Sequence, residues 1–146
     1  KLQEALLAVK DGADELDMVA NIGLLKTHQY EKAEKEIYEI RNNIPYNIIL
    51  KVIVESSQLT DVEISEATKV VINSGADFIK TSTGFFGGAT VEAVKLMQKT
   101  ADGQIKIKAS AGIKLLSHCQ NMISAGASRI GCSASVIIMH ESLKKN

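Results

Sequence analysis

Short apolar stretches alternate with amphipathic stretches along the 146 residues of the chain. The amphipathic stretches repeat apolar residues at helical spacing, and the apolar stretches are rich in β-branched residues, which is typical of buried strands. The pattern predicts five strands, at about residues 15–20, 47–55, 77–80, 105–109 and 128–132. It predicts six helices, at about residues 1–11, 26–43, 60–73, 90–100, 113–125 and in a last segment that ends near residue 143.

A repeated frame marks the start of three of these strands. In residues 10–17, 73–80 and 124–131, a glycine that closes a helix is followed by an alanine, and a strand begins at once. Glycine ends helices because it adopts the left-handed conformation without steric cost. The fifth residues after the three glycines are predicted to lie at similar heights near the carboxyl ends of their strands, and they are Asp17, Lys80 and Gly131.

Strands that alternate with helices build a parallel sheet. Distinctive residues at strand ends, glycine-rich turns and the absence of a dinucleotide fingerprint favour a TIM (β/α)8 barrel over a Rossmann-type sheet. A barrel needs eight strands and the pattern supplies five, so either three strands precede this chain or the sheet is an open α/β sheet. Because the chain begins at Lys1 without methionine or signal peptide, we expect residues 1–146 to be one partial barrel domain of a longer protein.

The composition narrows the possible partners and cofactors. With 17 basic and 17 acidic residues the net charge is zero, so no nucleic acid or anionic membrane is expected as a partner. No apolar run approaches the ~20 residues of a transmembrane helix. The cysteines and histidines lack the spacing of a disulfide framework or a metal site, and they are Cys119, Cys132, His28, His118 and His140. We therefore expect a cytoplasmic protein without a bound metal.

Residues 77–88 carry the strongest chemical signal. The buried strand ends in Lys80, which is followed by three hydroxyl residues and a glycine-rich turn. Burying an unpaired ammonium group is costly, so this lysine is expected to be paired or uncharged, and an uncharged amine attacks carbonyl carbons to form an imine. The alternative is a strand-end lysine that extends its ammonium group into solvent.

The next strand carries two more lysines. Lys106 and Lys108 alternate with apolar residues, so they share one face of the strand. If Lys108 lies near Lys80, repulsion between the two ammonium groups favours the uncharged amine that an imine-forming enzyme needs. The alternative is that both are exposed lysines of an edge strand.

Two carboxylates and a further lysine complete the candidate polar residues. Asp17 lies between apolar residues of the first strand, where it is suited to general acid–base chemistry or to pairing with a buried lysine. The alternative is a purely structural ion pair with Lys51 on the neighbouring strand. Lys51 and Glu55 share one face of their strand, which predicts a charged network inside the sheet.

Turns with small residues follow three successive strands, and these residues are Gly84, Gly87 and Gly88, then 111–112, then 131–134. Backbone N–H groups in such turns, with a helix start behind them, form anion sites, and TIM barrels commonly bind phosphate after their last strands. These turns predict a phosphate site beside Lys80. The alternative is that they only connect strands to helices.

Four motifs, taken in order, closely resemble the deoxyribose-phosphate aldolase family. They are GADELDMV at 12–19, LKVIVE at 50–55, GADFIKTSTGF at 75–85 and IKASAGIK at 107–114. The resemblance covers nearly the whole chain and implies a class I aldolase on a TIM barrel. It implies that this chain supplies about strands four to eight of that barrel.

The resemblance also implies a role for each candidate residue. Lys80 matches the Schiff-base lysine, and Lys108 and Asp17 match the lysine and the aspartate that relay protons. Lys51 matches a further lysine of the polar active-site network. The positions that match phosphate contacts are Gly84, Gly112 and Ser133. Two residues depart from the family pattern, since Ala111 replaces a glycine and Ala134 replaces a serine.

The reaction that this resemblance implies is the reversible cleavage of 2-deoxy-D-ribose 5-phosphate to acetaldehyde and D-glyceraldehyde 3-phosphate. It proceeds through an imine on Lys80 and needs no metal or organic cofactor. The implied partners are small phosphorylated sugars and aldehydes, and a homo-oligomer is compatible with the pattern. Two alternatives stay open: another phosphate-binding Schiff-base barrel enzyme such as a transaldolase, and a non-catalytic barrel fragment with open sheet edges.

Overall fold

A computed structural model describes residues 1–144, which form one five-stranded sheet with helices. The strands are β1 Glu15–Val19, β2 Ile49–Ile53, β3 Phe78–Lys80, β4 Lys106–Ser110 and β5 Arg129–Gly131. The helices are α1 Leu2–Lys10, α2 Ile22–Lys26, α3 Tyr30–Asn43, α4 Asp61–Asn73, α5 Val91–Ala101, α6 Leu116–Ser124 and α7 Ser135–Leu143, with a 3₁₀ turn at Ser56–Gln58. The five predicted strands are confirmed.

The helix predicted at residues 26–43 begins only at Tyr30, and a short helix that was not predicted, α2, precedes it. The side chain of Asn21 accepts a hydrogen bond from the backbone of Leu24 at 3.2 Å, and this cap begins α2. His28 has a φ of 56°, a left-handed conformation through which a right-handed helix cannot continue, so α3 begins only at Tyr30. The predicted start was wrong because α2, at five residues, is too short to show a periodic apolar pattern.

The longest helix within residues 1–144 is α3, with 14 residues. No helix in this part of the chain has the length and apolar character needed to cross a bilayer.

The strands lie in chain order, all parallel, and the sheet they form has two chemically different faces. One face packs against the helices, and its most buried residues, each at most 1% exposed, are Leu50, Val52, Ile79, Ile107 and Ala109. Successive side chains of a strand alternate between faces, so the opposite, inner face carries the charged residues. These are Glu15, Asp17, Lys51, Lys80, Lys106, Lys108 and Arg129.

The register of the strands is staggered as a barrel requires. Across β2, Asp17 of β1 is level with Phe78 of β3, two residues before Lys80. The strands of a TIM barrel are tilted. The side chains of one layer therefore lie about one residue further along each successive strand than the paired residue of the register. Asp17 and Lys80 therefore share a layer, and the same advance relates Lys80 to Gly131 on β5. The register agrees with the predicted similar heights of these three residues.

Side chains from the two edge strands meet across the inner face. Arg129 Nη1 on β5 lies 2.5 Å from Glu15 Oε2 on β1, and the guanidinium carbon lies 4.8 Å from the centre of the Phe78 ring. In a flat sheet, β1 and β5 would be four strand spacings or about 19 Å apart, beyond the combined reach of these side chains. The sheet is therefore curved like a sector of a barrel, which favours the partial barrel over a flat open sheet.

The loops after β3 and β4 touch each other. A Cβ atom added to Gly88 would lie 2.7 Å from the carbonyl oxygen of Ala111, so only glycine fits at that position. The backbone N–H of Ala89 donates to the carbonyl oxygens of Ser110 and Ala111, each at 3.1 Å. Ala111 has a φ of 70°, a left-handed conformation that is strained for alanine and unstrained for glycine. The packing of the two loops holds alanine in this conformation.

Replacing Ala111 with glycine is expected to raise the free energy of unfolding by about 1 kcal/mol, because the substitution relieves this strain. The measurement is urea-induced unfolding. The matched control is Ala13→Gly, since Ala13 is not among the residues with positive φ. This control is expected to lose about 0.5–1 kcal/mol. A loss of stability in both variants would contradict the strain at Ala111.

Candidate active site

Asp17 is the centre of a cluster of lysines on the inner face of the sheet. Its Oδ2 atom lies 2.9 Å from Lys80 Nζ and 2.9 Å from Lys108 Nζ, and its Oδ1 atom lies 3.2 Å from Lys51 Nζ. Because both lysine nitrogens contact the same oxygen, Lys80 Nζ and Lys108 Nζ cannot be further apart than twice 2.9 Å. The four residues predicted to carry the chemistry are therefore brought together.

The lysines of this cluster lie in a half-enclosed setting. The side chain of Lys51 is 4% exposed, that of Lys80 13% and that of Lys108 15%. Lys80 is not a strand-end lysine extended into solvent, and Lys108 is not an exposed edge lysine, because β3 and β4 both have neighbours on each side. The amines are low in exposure but still face the open side of the sheet, where a small substrate can approach.

A second tier of charged residues, not predicted from the sequence, supports this cluster. Glu15 Oε2 lies 2.9 Å from Lys51 Nζ and 2.5 Å from Arg129 Nη1. Hydrogen bonds from Lys51 and Arg129 lower the pKa of Glu15. Period-two alternation was the available signal, since Glu15 precedes Asp17 by two residues and therefore shares its face.

The clustered charges shift the acid–base equilibria of the site. Partial burial acts to raise the pKa of Asp17, but hydrogen bonds from Lys80 and Lys108 outweigh it and hold this pKa well below that of an ordinary aspartate. Burial lowers the pKa of Lys108; the pairing with Asp17 opposes that shift, and the charges of Lys80 and Lys51 add to it. A carboxylate that stays ionised beside a lysine that releases its proton more readily is suited to proton transfer.

Glu55 does not join the charged network that its strand face predicted. Its backbone is left-handed, with φ 53° and ψ 58°, and this turns the side chain toward the loop after β3. There, Thr83 donates to the Glu55 carboxylate from its backbone N–H at 3.0 Å and from its hydroxyl at 2.5 Å. Period-two alternation fails at Glu55 because the residue lies after the end of β2, where the extended backbone stops.

Two buried hydroxyl groups follow the lysines: Ser82, one of the three hydroxyl residues noted after Lys80, and Ser110, which the sequence did not single out. Ser110 is the last residue of β4 and shares the face of Lys108, whereas Ser82 lies two residues after Lys80, beyond the end of β3. Ser82 is 0% and Ser110 is 6% exposed, and their hydroxyl oxygens have no hydrogen-bond partner within residues 1–144. Buried hydroxyls normally have such a partner.

The predicted phosphate positions lie in the loops beyond the lysine cluster. Lys80, Lys108 and Arg129 are paired with one another in the register of β3, β4 and β5. Four residues after them in the chain come Gly84, Gly112 and Ser133, respectively. A Cβ atom on Gly84 would lie 3.3 Å from Ala111 Cβ, and one on Gly112 would lie 3.5 Å from Gly88 Cα, so the first two loops are in contact. Ser133 is exposed and lies two residues before α7. Their contact with phosphate stays a prediction.

Known proteins with similar sequences are aldolases. The family model described as DeoC/LacD family aldolase matches residues 1–135. A deoxyribose-phosphate aldolase of Corynebacterium diphtheriae is 50% identical over 143 residues, which are 97% of this chain and 66% of that protein. One from Aquifex aeolicus is 46% identical over 147 aligned positions, covering 100% of this chain and 67% of that protein. The chain thus spans about two thirds of the length of these relatives.

Solved structures of aldolases have the same fold. The aldolase QR15 is 46% identical and superposes with a TM-score of 0.92, over 99% of this chain and 65% of that one. The deoxyribose phosphate aldolase of Aeropyrum pernix, described as a unique tetramer, is 32% identical with a TM-score of 0.87, over 99% of this chain and 61% of that one. Both matches leave more than a third of the longer chain without a counterpart, as expected for a sector of a barrel.

Acid is expected to destabilise the fold partly through Asp17. Its pKa is lower in the folded than in the unfolded chain, so its ion pairs stabilise the fold above the ordinary aspartate pKa of about 3.9, and this contribution is lost as the pH falls further. Unfolding by urea between about pH 6 and pH 3 should therefore show a smaller loss of stability in Asp17→Asn than in the unmodified protein. Some loss remains in the variant because Glu15 contributes with the same sign.

The control for this measurement is Asp11→Asn, which removes a carboxylate that takes part in none of the ion pairs within residues 1–144. It should keep the pH dependence of the unmodified protein. An identical pH dependence in Asp17→Asn and in the unmodified protein would show that the lysine cluster does not stabilise the ionised form of Asp17.

Proposed function

Because this chain belongs to the DeoC/LacD family of aldolases, we propose that it carries the active site of a deoxyribose-phosphate aldolase. The reaction is the reversible cleavage of 2-deoxy-D-ribose 5-phosphate into acetaldehyde and D-glyceraldehyde 3-phosphate. The observation that carries the proposal is the contact of Lys80 and Lys108, on adjacent strands, with one carboxylate oxygen of Asp17. This arrangement provides a nucleophilic amine and a proton relay at the same point.

Lys80 is the nucleophile in this proposal. Its uncharged amine attacks C1 of the open-chain sugar, and loss of water gives an iminium ion. As the proton of the C3 hydroxyl group leaves, the C2–C3 bond breaks and its electron pair moves toward the iminium carbon. D-glyceraldehyde 3-phosphate departs and an enamine remains on Lys80. Protonation of the enamine at C2 and hydrolysis release acetaldehyde, and Lys80 regains its amine. The imine serves as the electron sink, so we propose no organic cofactor or metal.

The surrounding charges support both the nucleophile and the phosphate. The network of contacting groups contains four cations, Lys51, Lys80, Lys108 and Arg129, and two carboxylates. A positive excess favours the loss of a proton from one of the lysines and attracts an anionic substrate. Asp17 stays ionised and so can accept hydrogen bonds from both Lys80 and Lys108 throughout, while Lys108 is the group suited to give and take the proton.

The turns after β3, β4 and β5 are the proposed phosphate site. Gly84, Gly112 and Ser133 lie beyond the lysines on the same side of the sheet, where backbone N–H groups and the start of α7 are suited to bind an anion. Fixing the phosphate there leaves the aldehyde end of the sugar to extend down toward Lys80.

We further propose a cytoplasmic setting and self-association. Cys119 and Cys132 are free thiols, which a reducing compartment maintains. The Aeropyrum pernix relative is described as a tetramer. The neutral net charge gives no reason to expect a nucleic acid partner.

Borohydride reduction in the presence of acetaldehyde is expected to attach one two-carbon adduct to Lys80 in the native protein, located by peptide mass spectrometry. Lys80→Ala should show no adduct at any lysine. A ketose phosphate in place of acetaldehyde should give no adduct, whereas a transaldolase-like enzyme would be trapped by it. Trapping at a lysine other than Lys80, or no trapping with acetaldehyde, would contradict the proposed function.

The proton-relay role of Lys108 is testable against a matched lysine on the same strand and face. Lys108→Ala is expected to lower kcat/KM by about 10²–10⁴-fold, the usual contribution of a general acid or base. Lys106→Ala should stay within a few-fold of the unmodified protein, since Lys106 Nζ contacts the Phe78 ring at 5.6 Å and not the Asp17 carboxylate. Equal losses of kcat/KM in both variants would show that activity depends on the positive charge of β4 and not on the contact of Lys108 with Asp17.

A further inference from the structure

Glu55 is a buried carboxylate whose position is hard to explain by stability alone. The residue is 2% exposed and lies two residues after the end of β2. Its left-handed backbone, with φ 53°, is strained for a residue with a Cβ atom. The ion pairs within residues 1–144 do not include Glu55. Strain and unpaired burial of this kind persist where the surrounding structure enforces them, and they concentrate at functional sites.

The side-chain hydrogen bonds of Glu55 within the described residues all go to the turn that follows Lys80. One carboxylate oxygen accepts from the backbone N–H of Thr83 at 3.0 Å, and the other accepts from the Thr83 hydroxyl group at 2.5 Å. The same hydroxyl oxygen accepts from the backbone N–H of Phe85 at 3.2 Å. The Thr83 hydroxyl group therefore donates its proton to Glu55, and the backbone N–H groups of Thr83 and Phe85 both donate to acceptors within the protein.

The residue between these two is Gly84. Its N–H group donates no hydrogen bond within the described residues, and its φ of 106° is a backbone conformation that suits glycine. A second contact supports the same turn, because Ser57 Oγ donates to the carbonyl oxygen of Phe86 at 3.0 Å. The segment after β2 therefore fixes the turn on both sides of Gly84 and leaves the Gly84 N–H as a donor for a ligand.

We propose that Glu55 is a positioning residue that holds the Thr83–Phe85 turn in the shape in which Gly84 binds the substrate phosphate. The inference rests on the proposed function, in which Gly84 contacts phosphate. Glu55 itself does not touch the substrate: its carboxylate is directed at Thr83, and it acts through the two hydrogen bonds that it accepts. Its negative charge would repel a phosphate that came close, so its benefit must come from geometry.

A positioning role and a purely electrostatic effect of Glu55 predict opposite changes in KM when its carboxylate is removed. Glu55→Gln keeps the size of the side chain, but its amide nitrogen cannot accept a hydrogen bond, so the Thr83 hydroxyl group loses the acceptor for its proton. If the carboxylate positions the turn, KM for 2-deoxyribose 5-phosphate should rise about tenfold while kcat stays within about twofold. With 2-deoxyribose, which lacks phosphate, kcat/KM should stay within about twofold. If only its charge mattered, KM for the phosphorylated sugar would fall.

Two further variants keep the test decisive. Glu55→Asn should give the same rise in KM with the fold retained, because asparagine adopts the left-handed conformation more readily than glutamate but is too short to reach Thr83 as Glu55 does. The matched control is Glu63→Gln, a second buried glutamate, 6% exposed, which accepts from the backbone N–H of Thr60 at 2.7 Å at the start of α4. This control should leave KM for 2-deoxyribose 5-phosphate and kcat/KM for 2-deoxyribose unchanged.

The outcome separates this inference from the proposed function. Trapping of acetaldehyde on Lys80 in the unmodified protein tests the function and does not involve the phosphate turn. If Lys80 is trapped but the Glu55 variants leave KM for the phosphorylated sugar unchanged or lower it, the positioning role is wrong. It is also wrong if both sugars lose activity equally, since that result indicates a general structural role. If borohydride attaches no acetaldehyde to the unmodified protein, the proposed function is wrong, and the inference that rests on it is wrong with it.

Discussion

The structure depends on a single carboxylate that neutralises lysines from several strands. Three ammonium groups on one face of a sheet repel each other, and Asp17 makes their proximity possible by contacting Lys51, Lys80 and Lys108 at 2.9–3.2 Å. The carboxylates do not fully neutralise the positive charge, because cations outnumber carboxylates in the wider network that includes Glu15 and Arg129. An incomplete balance keeps the cluster folded and still favours proton release from a lysine, which is the condition for imine chemistry.

The curvature of the sheet brings this cluster together. Asp17 is on β1 and Lys108 is on β4, so their contact spans three strand spacings, and the pair formed by Glu15 and Arg129 spans four. Such contacts exist only when parallel strands bend around a common axis. The apolar faces of the helices pack against the outside of the sheet, while the charged residues lie on its inside. One sheet therefore has an outer face that provides stability and an inner face that provides chemistry.

The loops show how strain and close packing shape the far end of the site. Gly88 lies against the backbone of Ala111, and Ala111 itself is held in a left-handed conformation. Glu55, also left-handed, fixes the turn around Gly84 through Thr83. Each of these contacts joins the loop of one strand to that of its neighbour. The geometry of the proposed phosphate site thus depends on pairs of loops, while the positions of the lysine amines depend on the strands.

Much of this protein follows from its sequence. The alternation of short apolar and amphipathic stretches determined five strands and the parallel sheet, because an apolar face repeats every two residues in a strand and about every 3.6 residues in a helix. The repeated glycine frame also indicated that Asp17 and Lys80 share a height. Only the tertiary structure decided which charges meet. The contacts of Glu15 with Arg129, and of Glu55 with Thr83, join residues far apart in the chain. They depend on the curvature of the sheet and on a left-handed backbone, and local sequence patterns encode neither.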